Sequence, residues 1–328
     1  HAEFSSTKQR LDAAVDLAKS EAGMSASVLD FDADPTKIGV TNGVLNLRSA
    51  QLEKFSPSLL VSKRMNVAFD LEAACPLFMN FLETAQPAPD TRRLLQQLAG
   101  LFLCGEPTIQ KLIFLYGCGA NGKSTFIEIM HWMLGDYSQR IQTEMLMQHQ
   151  RNPQGPSPDI VSLKGCRLVY CNETEENRLL AVARVKELTG GDTLTGRSLY
   201  AREGISFRPS HNLVMAGNHA PEVRDMSHGM WRRMLLIPFD QVIPQNRQDP
   251  NLLAKLKAEG SGILTWALAG LIDYRRRGLW PSKEVEEATN AYKDEQDILK
   301  EWLDDHCALG PTLQGRKEEL YRAYSVWC

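Results

Sequence analysis

The stretch Lys111 to Thr125, KLIFLYGCGANGKST, decides the fold. Leu112, Ile113, Phe114, Leu115 and Tyr116 form a short apolar run closed by glycine, the pattern of a strand buried on both faces of a parallel sheet. Gly117, Cys118, Gly119, Ala120, Asn121, Gly122, Lys123 and Ser124 then fit G-x-x-x-x-G-K-[ST], and Phe126 to Leu134 has the apolar spacing of a helix. Glycines let successive backbone N–H groups turn inward, and a helix N-terminus adds partial positive charge, so strand, loop and helix together cradle a triphosphate. In that cradle Lys123 reaches the β- and γ-phosphates and the Ser124 hydroxyl ligates Mg²⁺. The expected cofactors are therefore ATP and Mg²⁺, bound by Gly117 through Thr125. The bland alternative is a chance glycine-rich turn, and the strand and helix on either side argue against it.

Upstream, Ser6 to Ala22 is spaced as a helix, with Ser6 and Gln9 placed for a capping box and Gly23 as a stop. From Val28 to Asp70 the pattern changes to short strands, with an Asn42-Gly43 turn and alternation at Val61, Met65, Val67 and Phe69. Pro76 to Thr84 and Asp90 to Leu103 read as helices, the second with Asp90 as its cap. Downstream of the loop, a short helical piece around Glu144 to His149 precedes a Pro- and Gly-rich surface loop over 151–158. Arg167 to Cys171, His211 to Ala216 and Met234 to Phe239 are three further core strands, and Leu179 to Thr189 a helix. Between them, Leu194 to Tyr200 and Ile205 to Arg208 form a hairpin after Gly190-Gly191-Asp192. Leu252 to Lys257, Ser261 to Arg277, Ser282 to Cys307 and Arg316 to Trp327 close the chain as helices, with Ser282 capping the third. The fold class is α/β with a parallel sheet.

At 328 residues the chain exceeds one typical core, and 43% hydrophobic with 23% charged residues is ordinary for a soluble globular protein. No stretch approaches the roughly eighteen uncharged apolar residues of a membrane span, and HAEFSSTKQR has no signal-peptide core, so a soluble, cytoplasmic protein without membrane contact is expected. Seven cysteines form no CxxC pair and sit mostly in apolar runs, which points to buried reduced thiols. A net charge of -3 argues against a basic-coated surface but is compatible with nucleic acid held by a few residues in a ring's pore.

ATP hydrolysis needs a group that orients the attacking water at the end of a strand beside the phosphate loop. Glu173, after RLVYCN, fits that role and that of a Mg²⁺ partner beside Ser124, against the plainer reading of 173–176 as a solvated acidic turn. Asn172 stands where an aspartate often helps hold the metal. Asn218 ends the strand LVMAGN and can hydrogen-bond the attacking water or the γ-phosphate; a turn-forming asparagine is its alternative. Arg232 and Arg233 precede the last strand, and an arginine supplied across a subunit interface accelerates phosphoryl transfer by about 10³ to 10⁵. Chemistry alone does not choose between them. The hairpin carries Arg197, Arg202 and Arg208 with Tyr200 near its tip, suited to phosphate contact and base stacking, or simply a polar tip.

The order of these parts resembles the superfamily 3 helicases, above all the phage and plasmid primase-helicase branch related to the poxvirus primase-helicase. The segments that carry the likeness are NGVLNL (42–47), CGANGKST (118–125), VKELTGGDTLTGRSLY (185–200), AGNHAP (216–221), GMWRRMLLIPF (229–239), GILTWALAGL (262–271) and the final LYRAYSVWC. The resemblance implies an AAA+-type P-loop core that forms a ring, usually a hexamer, translocates on single-stranded DNA and unwinds forked duplex during replication of a mobile element in a bacterial host. On that pattern Arg232 or Arg233 is the finger acting in trans, Asn218 the sensor, and the hairpin a pore element in which Arg202, with Tyr200 and Arg197, meets DNA. Lys186 lies in a matching motif without a defined role.

The implied layout is a helix and small mixed subdomain over 1–70, a helical subdomain over 71–108, the ATPase core over 109–245, a helical subdomain over 246–310, and the start of a possible winged helix over 311–328. Such proteins often carry a primase domain ahead of this segment and work with other replication proteins, and a start at His1 with an end inside a helix suits a piece of a longer chain. Two other readings use the same loop. A P-loop kinase needs neither sensor asparagine nor late arginines, and an ATP switch for DNA loading uses the ring chemistry without processive unwinding.

Overall fold

The computed structural model describes residues 7–21, 26–27, 30–106, 109–148, 157–172, 178–199, 201, 203–310 and 313–327. Helix α1, Lys8–Ala18, starts after Thr7, whose side chain makes no capping bond, and Leu11, Val15 and Leu17 are exposed. Ser6 of the expected capping box lies outside the described residues.

Strands β1 (Lys37–Val40), β2 (Gly43–Asn46) and β3 (Gln51–Glu53) form an antiparallel sheet, with Val40 opposite Gly43 across the turn at Thr41 and Asn42. The Asn42 side chain does more than turn the chain: its amide donates to the Phe69 carbonyl and its oxygen accepts from the Phe69 N–H, both at 2.9 Å. The segment 61–69 is not the expected strand. It is pinned to β1 only by Met65 N–H to Gly39 and Thr41 N–H to Val67, which is too sparse for a ladder, although Met65, Val67 and Phe69 are buried. Its alternation reports one-sided burial of an extended loop.

Helix α2 spans Pro76–Ala85 and α3 spans Pro89–Leu101. Ala88, not Asp90, occupies the cap position of α3; proline opens the helix, which moves Asp90 into the first turn, where its charge still suits the helix dipole. Five parallel strands follow: β4 (Leu112–Tyr116), β5 (Ser138–Arg140), β6 (Leu168–Asn172), β9 (Asn212–Gly217) and β10 (Met234–Pro238), in the order β10-β4-β9-β6-β5. Helix α4 (Lys123–Leu134) crosses one face, and α5 (Val182–Thr189) packs near β9 on the other. The short antiparallel pair β7 (Leu194–Gly196) and β8 (Ile205–Phe207) stands beside them.

Both faces of the parallel sheet are covered. Ile113, Leu115, Val214 and Ile237 enter one core cluster, while Leu112, Phe114, Leu213 and Leu236 enter the other. That is why these strands read as continuous apolar runs.

After β10 come α6 (Leu252–Ala258), α7 (Gly260–Arg277), α8 (Lys283–Glu295), α9 (Ile298–His306) and α10 (Lys317–Trp327). Gly100 of α3 and Gly270 of α7 let these helices cross in contact, since a Cβ on either would run into the other's backbone. The single helix expected over 282–307 is two. Ser282 caps α8 as expected, accepting from Val285 N–H, but Gln296 accepts from Val223 N–H and the Tyr292 hydroxyl donates to the Pro221 carbonyl. Those bonds hold the end of α8 against the core, and Asp297 caps a new helix by accepting from Lys300 N–H.

The piece expected over 144–149 is a 3₁₀ turn, Thr143–Leu146, and most of the 151–158 loop lies outside the described residues. Cys75, Cys104, Cys166 and Cys171 are buried, whereas Cys118 is exposed on the loop after β4. Among the described residues no helix is long and apolar enough to cross a membrane.

Arg167, just ahead of β6, joins the N-terminal part to the sheet. Its guanidinium lies 4.6 Å over the Tyr137 ring and donates to the carbonyls of Leu103 and Lys37. Tyr137 continues the link, its hydroxyl accepting from Gly39 N–H at 2.9 Å and donating to the Lys63 carbonyl at 3.0 Å. Burial lowers the Arg167 pKa, and among the described residues no carboxylate is bound to it to offset the cost.

Candidate functional site

The loop after β4 sits at the carboxyl rim of the parallel sheet, where ligands of open α/β folds bind. Its backbone needs its glycines. Gly119 and Gly122 have φ of +97° and +90°, and a Cβ at Gly117 (φ +155°) would collide with the Phe239 carbonyl and the Asn121 amide. The Asn121 amide donates to the Phe239 carbonyl at 2.6 Å, and Ile243 N–H donates to the Ala120 carbonyl at 2.8 Å. The chain beyond β10 thus holds the loop from outside.

Lys123 opens α4 with its ammonium buried. Nζ donates to the Gly117 carbonyl at 2.6 Å, to Asn121 Oδ1 at 2.9 Å and to Asn218 Oδ1 at 3.1 Å. All three acceptors are neutral, and burial holds its pKa below the ordinary lysine value. A buried cation satisfied only by neutral dipoles gains much from an anion placed beside it.

Asn218 reaches that ammonium because β9 lies next to β4, with Gly217 in register with Tyr116. Ser124 is exposed at the start of α4. On the other side of β9, Asn172 pairs with Ala216; its Oδ1 is buried and has no partner among the described residues. An orphaned acceptor at this rim fits a hydrated cation. Glu173, the expected water-orienting group and metal partner, lies outside the described residues.

A cavity of about 720 Å³ adjoins the loop, between Phe81 and Asn80 of α2 and the segment from Ile243 to Leu253, with Ala120, Gly122 and Thr125 as its floor. Its size suits a base and ribose. These wall residues escaped sequence reasoning because their chemistry is ordinary and only folding gathers them.

Arg232 and Arg233 are at the opposite, amino rim. Parallel pairing sets Met234 beside Leu112 and Pro238 beside Tyr116, so the arginines sit a full strand, roughly 15 Å, from the glycine loop after β4. Arg232 is exposed, 3.5 Å from Gln110 Oε1, while its carbonyl accepts from Lys111 Nζ at 2.7 Å. Arg233 is turned inward, with Nη1 donating to the Gly229 carbonyl at 2.7 Å.

Lys186 of α5 now acquires a role. Its ammonium bonds Asp225 Oδ2 at 2.8 Å and Ser227 Oγ at 3.3 Å, at the start of the helical turn His228–Trp231 that leads into Arg232. The lysine's hydrogen bond, with help from Ser227, pulls the Asp225 pKa down to about 2. Helix α5 runs on into the hairpin, so one ion pair joins the hairpin's support to the arginine turn.

In the hairpin, Arg197 is exposed and its backbone pairs with Ser157, whereas Tyr200 and Arg202 lie outside the described residues.

Residues 1–87 match the family described as D5 N terminal like, and residues 115–233 match a family of unknown function, DUF5906. "Putative helicase L207/L206" of Acanthamoeba polyphaga mimivirus is 27% identical over 321 residues, 91% of this chain and 33% of that protein. "Primase D5" of fowlpox virus is 25% identical over 235 residues, 66% of this chain and 29% of that one. The chain is thus similar in sequence to proteins of large DNA viruses that are named helicase or primase. It spans about a third of the length of the curated relatives it matches. These relatives are viral, where the resemblance pointed first to phage and plasmid proteins. The solved C-terminal region of NrS-1 shares the fold at a TM-score of 0.54 and 16% identity, over 84% of this chain and 65% of that one.

Proposed function

We propose that the chain is the ATP-hydrolysing motor of a D5-type primase-helicase, an AAA+-type core that assembles as a ring on DNA. The observation that carries this reading is the split between the two rims. The carboxyl rim holds a buried lysine, a sensor-type asparagine and a glycine cradle, while Arg232 stands exposed a full strand away, too far to serve its own loop. An arginine so placed acts on a nucleotide bound by a neighbouring subunit.

The residues fit ATP and Mg²⁺. Gly117 to Thr125 would wrap the phosphates, Lys123 would leave its neutral acceptors for them, and Ser124 and Glu173, with Asn172 behind, would hold the hydrated ion. The metal supplies charge neutralisation of the β- and γ-phosphates. Asn218, already bonded to Lys123, orients the attacking water, and of the two arginines Arg232 is the finger because Arg233 is committed to Gly229. The relatives' names support helicase work, and Arg197, Tyr200 and Arg202 are the hairpin's DNA contacts in this proposal.

The test is subunit mixing. Lys123→Ala and Arg232→Ala proteins should each be inactive, and their mixture should regain ATPase activity, which single-stranded DNA then raises. No recovery on mixing, with ATPase independent of protein concentration, would defeat the ring. Recovery without strand separation on forked DNA would favour an ATP switch for loading.

A further inference from the structure

A second cavity, about 1110 Å³, opens at the amino rim of the parallel sheet, away from Lys123. Segments 31–35 and 62–63 of the N-terminal part form one side; the turn ahead of β6 and the chain from β8 to β9 form the other. We infer that this cleft binds single-stranded DNA, as a track running on from the β7–β8 hairpin; the inference rests on the DNA-motor reading above.

The lining has the two chemistries that a single strand needs, flat faces for bases and cations for phosphates. Phe31 is 40% exposed although it is a large apolar residue, and Phe207 is half-buried at the end of β8. Lys164 and Arg208 line the same cleft and have no acidic partner among the described residues. Lys63 adds a third cation, bonded through Nζ, among the described residues, only to carbonyls: Lys164 at 3.1 Å and Asp136 at 3.4 Å.

Two acids also line the cleft. The Asp32 carboxylate is occupied by the Ser62 N–H at 2.9 Å, the Ser62 hydroxyl and the Lys63 N–H, which leaves Glu106, among the described residues, as the opposing charge without such bonds. The balance of the wall is therefore positive in a protein whose overall net charge is -3. Location adds a separate argument. Phe207 is the last residue of β8 and Arg208 follows it, so the cleft begins at the base of the hairpin.

Fluorescence polarisation of a labelled oligo(dT), repeated over a series of salt concentrations, tests the inference on the full chain. Arg208→Glu and Lys164→Gln should weaken binding, Arg208→Glu by about tenfold, and each should flatten the log–log salt dependence by about 0.7 for a phosphate that is no longer neutralised. Phe31→Ala should weaken binding about fivefold with the slope unchanged, because stacking releases no counterions. Lys283→Glu, an exposed charge reversal on α8, should change neither, which separates a local site from net charge. Thermal melts confirm that each variant is folded, and Lys164→Gln is the mildest change. Binding by the wild type with all three cleft variants equal to it overturns the cleft while leaving the motor reading intact. No binding by the wild type at all defeats the DNA reading and the cleft with it. Cleft variants that lose an acidic peptide but keep DNA would make this a peptide groove and overturn the inference.

Discussion

The two rims of the parallel sheet are built from the same strands and behave as opposites. At the carboxyl rim the loop's polar groups are answered inside one chain, down to a lysine ammonium with three oxygen acceptors. At the amino rim Arg232 is exposed, and a cleft lies open whose Lys164 and Arg208 meet no acid among the described residues. A loop whose lysine is held within one chain can bind a ligand as a monomer, whereas a rim that presents charge outward works only on something brought to it. In the proposed reading the contrast separates nucleotide binding, contained in the subunit, from functions that need a partner.

The largest expected effect breaks the carboxyl rim. Lys123→Ala should abolish ATP hydrolysis and weaken nucleotide binding, measured by steady-state turnover and by calorimetric titration with a non-hydrolysed analogue. Arg232→Ala should lower turnover by about 10³- to 10⁵-fold while leaving nucleotide affinity near wild type, since in the proposed ring this arginine touches only the neighbour's reacting phosphate. Equal loss of affinity in both variants would erase the distinction between the rims.

Arg167→Ala tests what holds the amino rim in place. It strands one buried and one partly buried carbonyl and leaves a hole beside Tyr137, so a loss of roughly 2–5 kcal/mol in denaturant unfolding is expected. His211, buried just ahead of β9, gives the same rim a pH dependence. Burial, opposed in smaller part by the Leu188 backbone, lowers its pKa to about 4. A base whose folded pKa lies below its unfolded value of about 6.5 contributes stability that is whole above that value and lost as the pH falls towards 4, up to roughly 3 kcal/mol. His211→Phe should flatten the fall in melting temperature between those limits.

The smallest effect belongs to Lys186→Met. The pair with Asp225 is about one-third exposed on each side, so it contributes only about 0.5–1 kcal/mol to stability. Stimulation of the ATPase by DNA should drop more than basal turnover if the pair links hairpin to arginine turn, and an equal drop in both would leave it a simple brace.

Local signals were legible where chemistry and backbone demand coincide. The glycines of 117–122 are needed for positive φ, and the run Leu112 to Tyr116 is buried on both faces, so motif and strand were readable without a partner in view. Asn218 was legible as a strand-ending polar residue, yet its bond to Lys123 depends on β9 folding beside β4 after almost a hundred intervening residues. The alternation over 61–69 misled because one-sided burial produces the same period as a strand. The break in 282–307 was invisible because no helix breaker marks it; bonds from Tyr292 and Gln296 to 221–223 stop the helix.

By itself the sequence determined the glycine loop, the apolar strands that flank it and the family likeness, because these rest on residues close together in the chain and on backbone conformations that glycine adopts readily. Tertiary structure decided which arginine faces outward, what Lys186 binds, and that Phe31, Lys164 and Arg208 share one cleft. Those facts depend on strand order and register, which bring together residues far apart in sequence and cannot be read from any one of them alone.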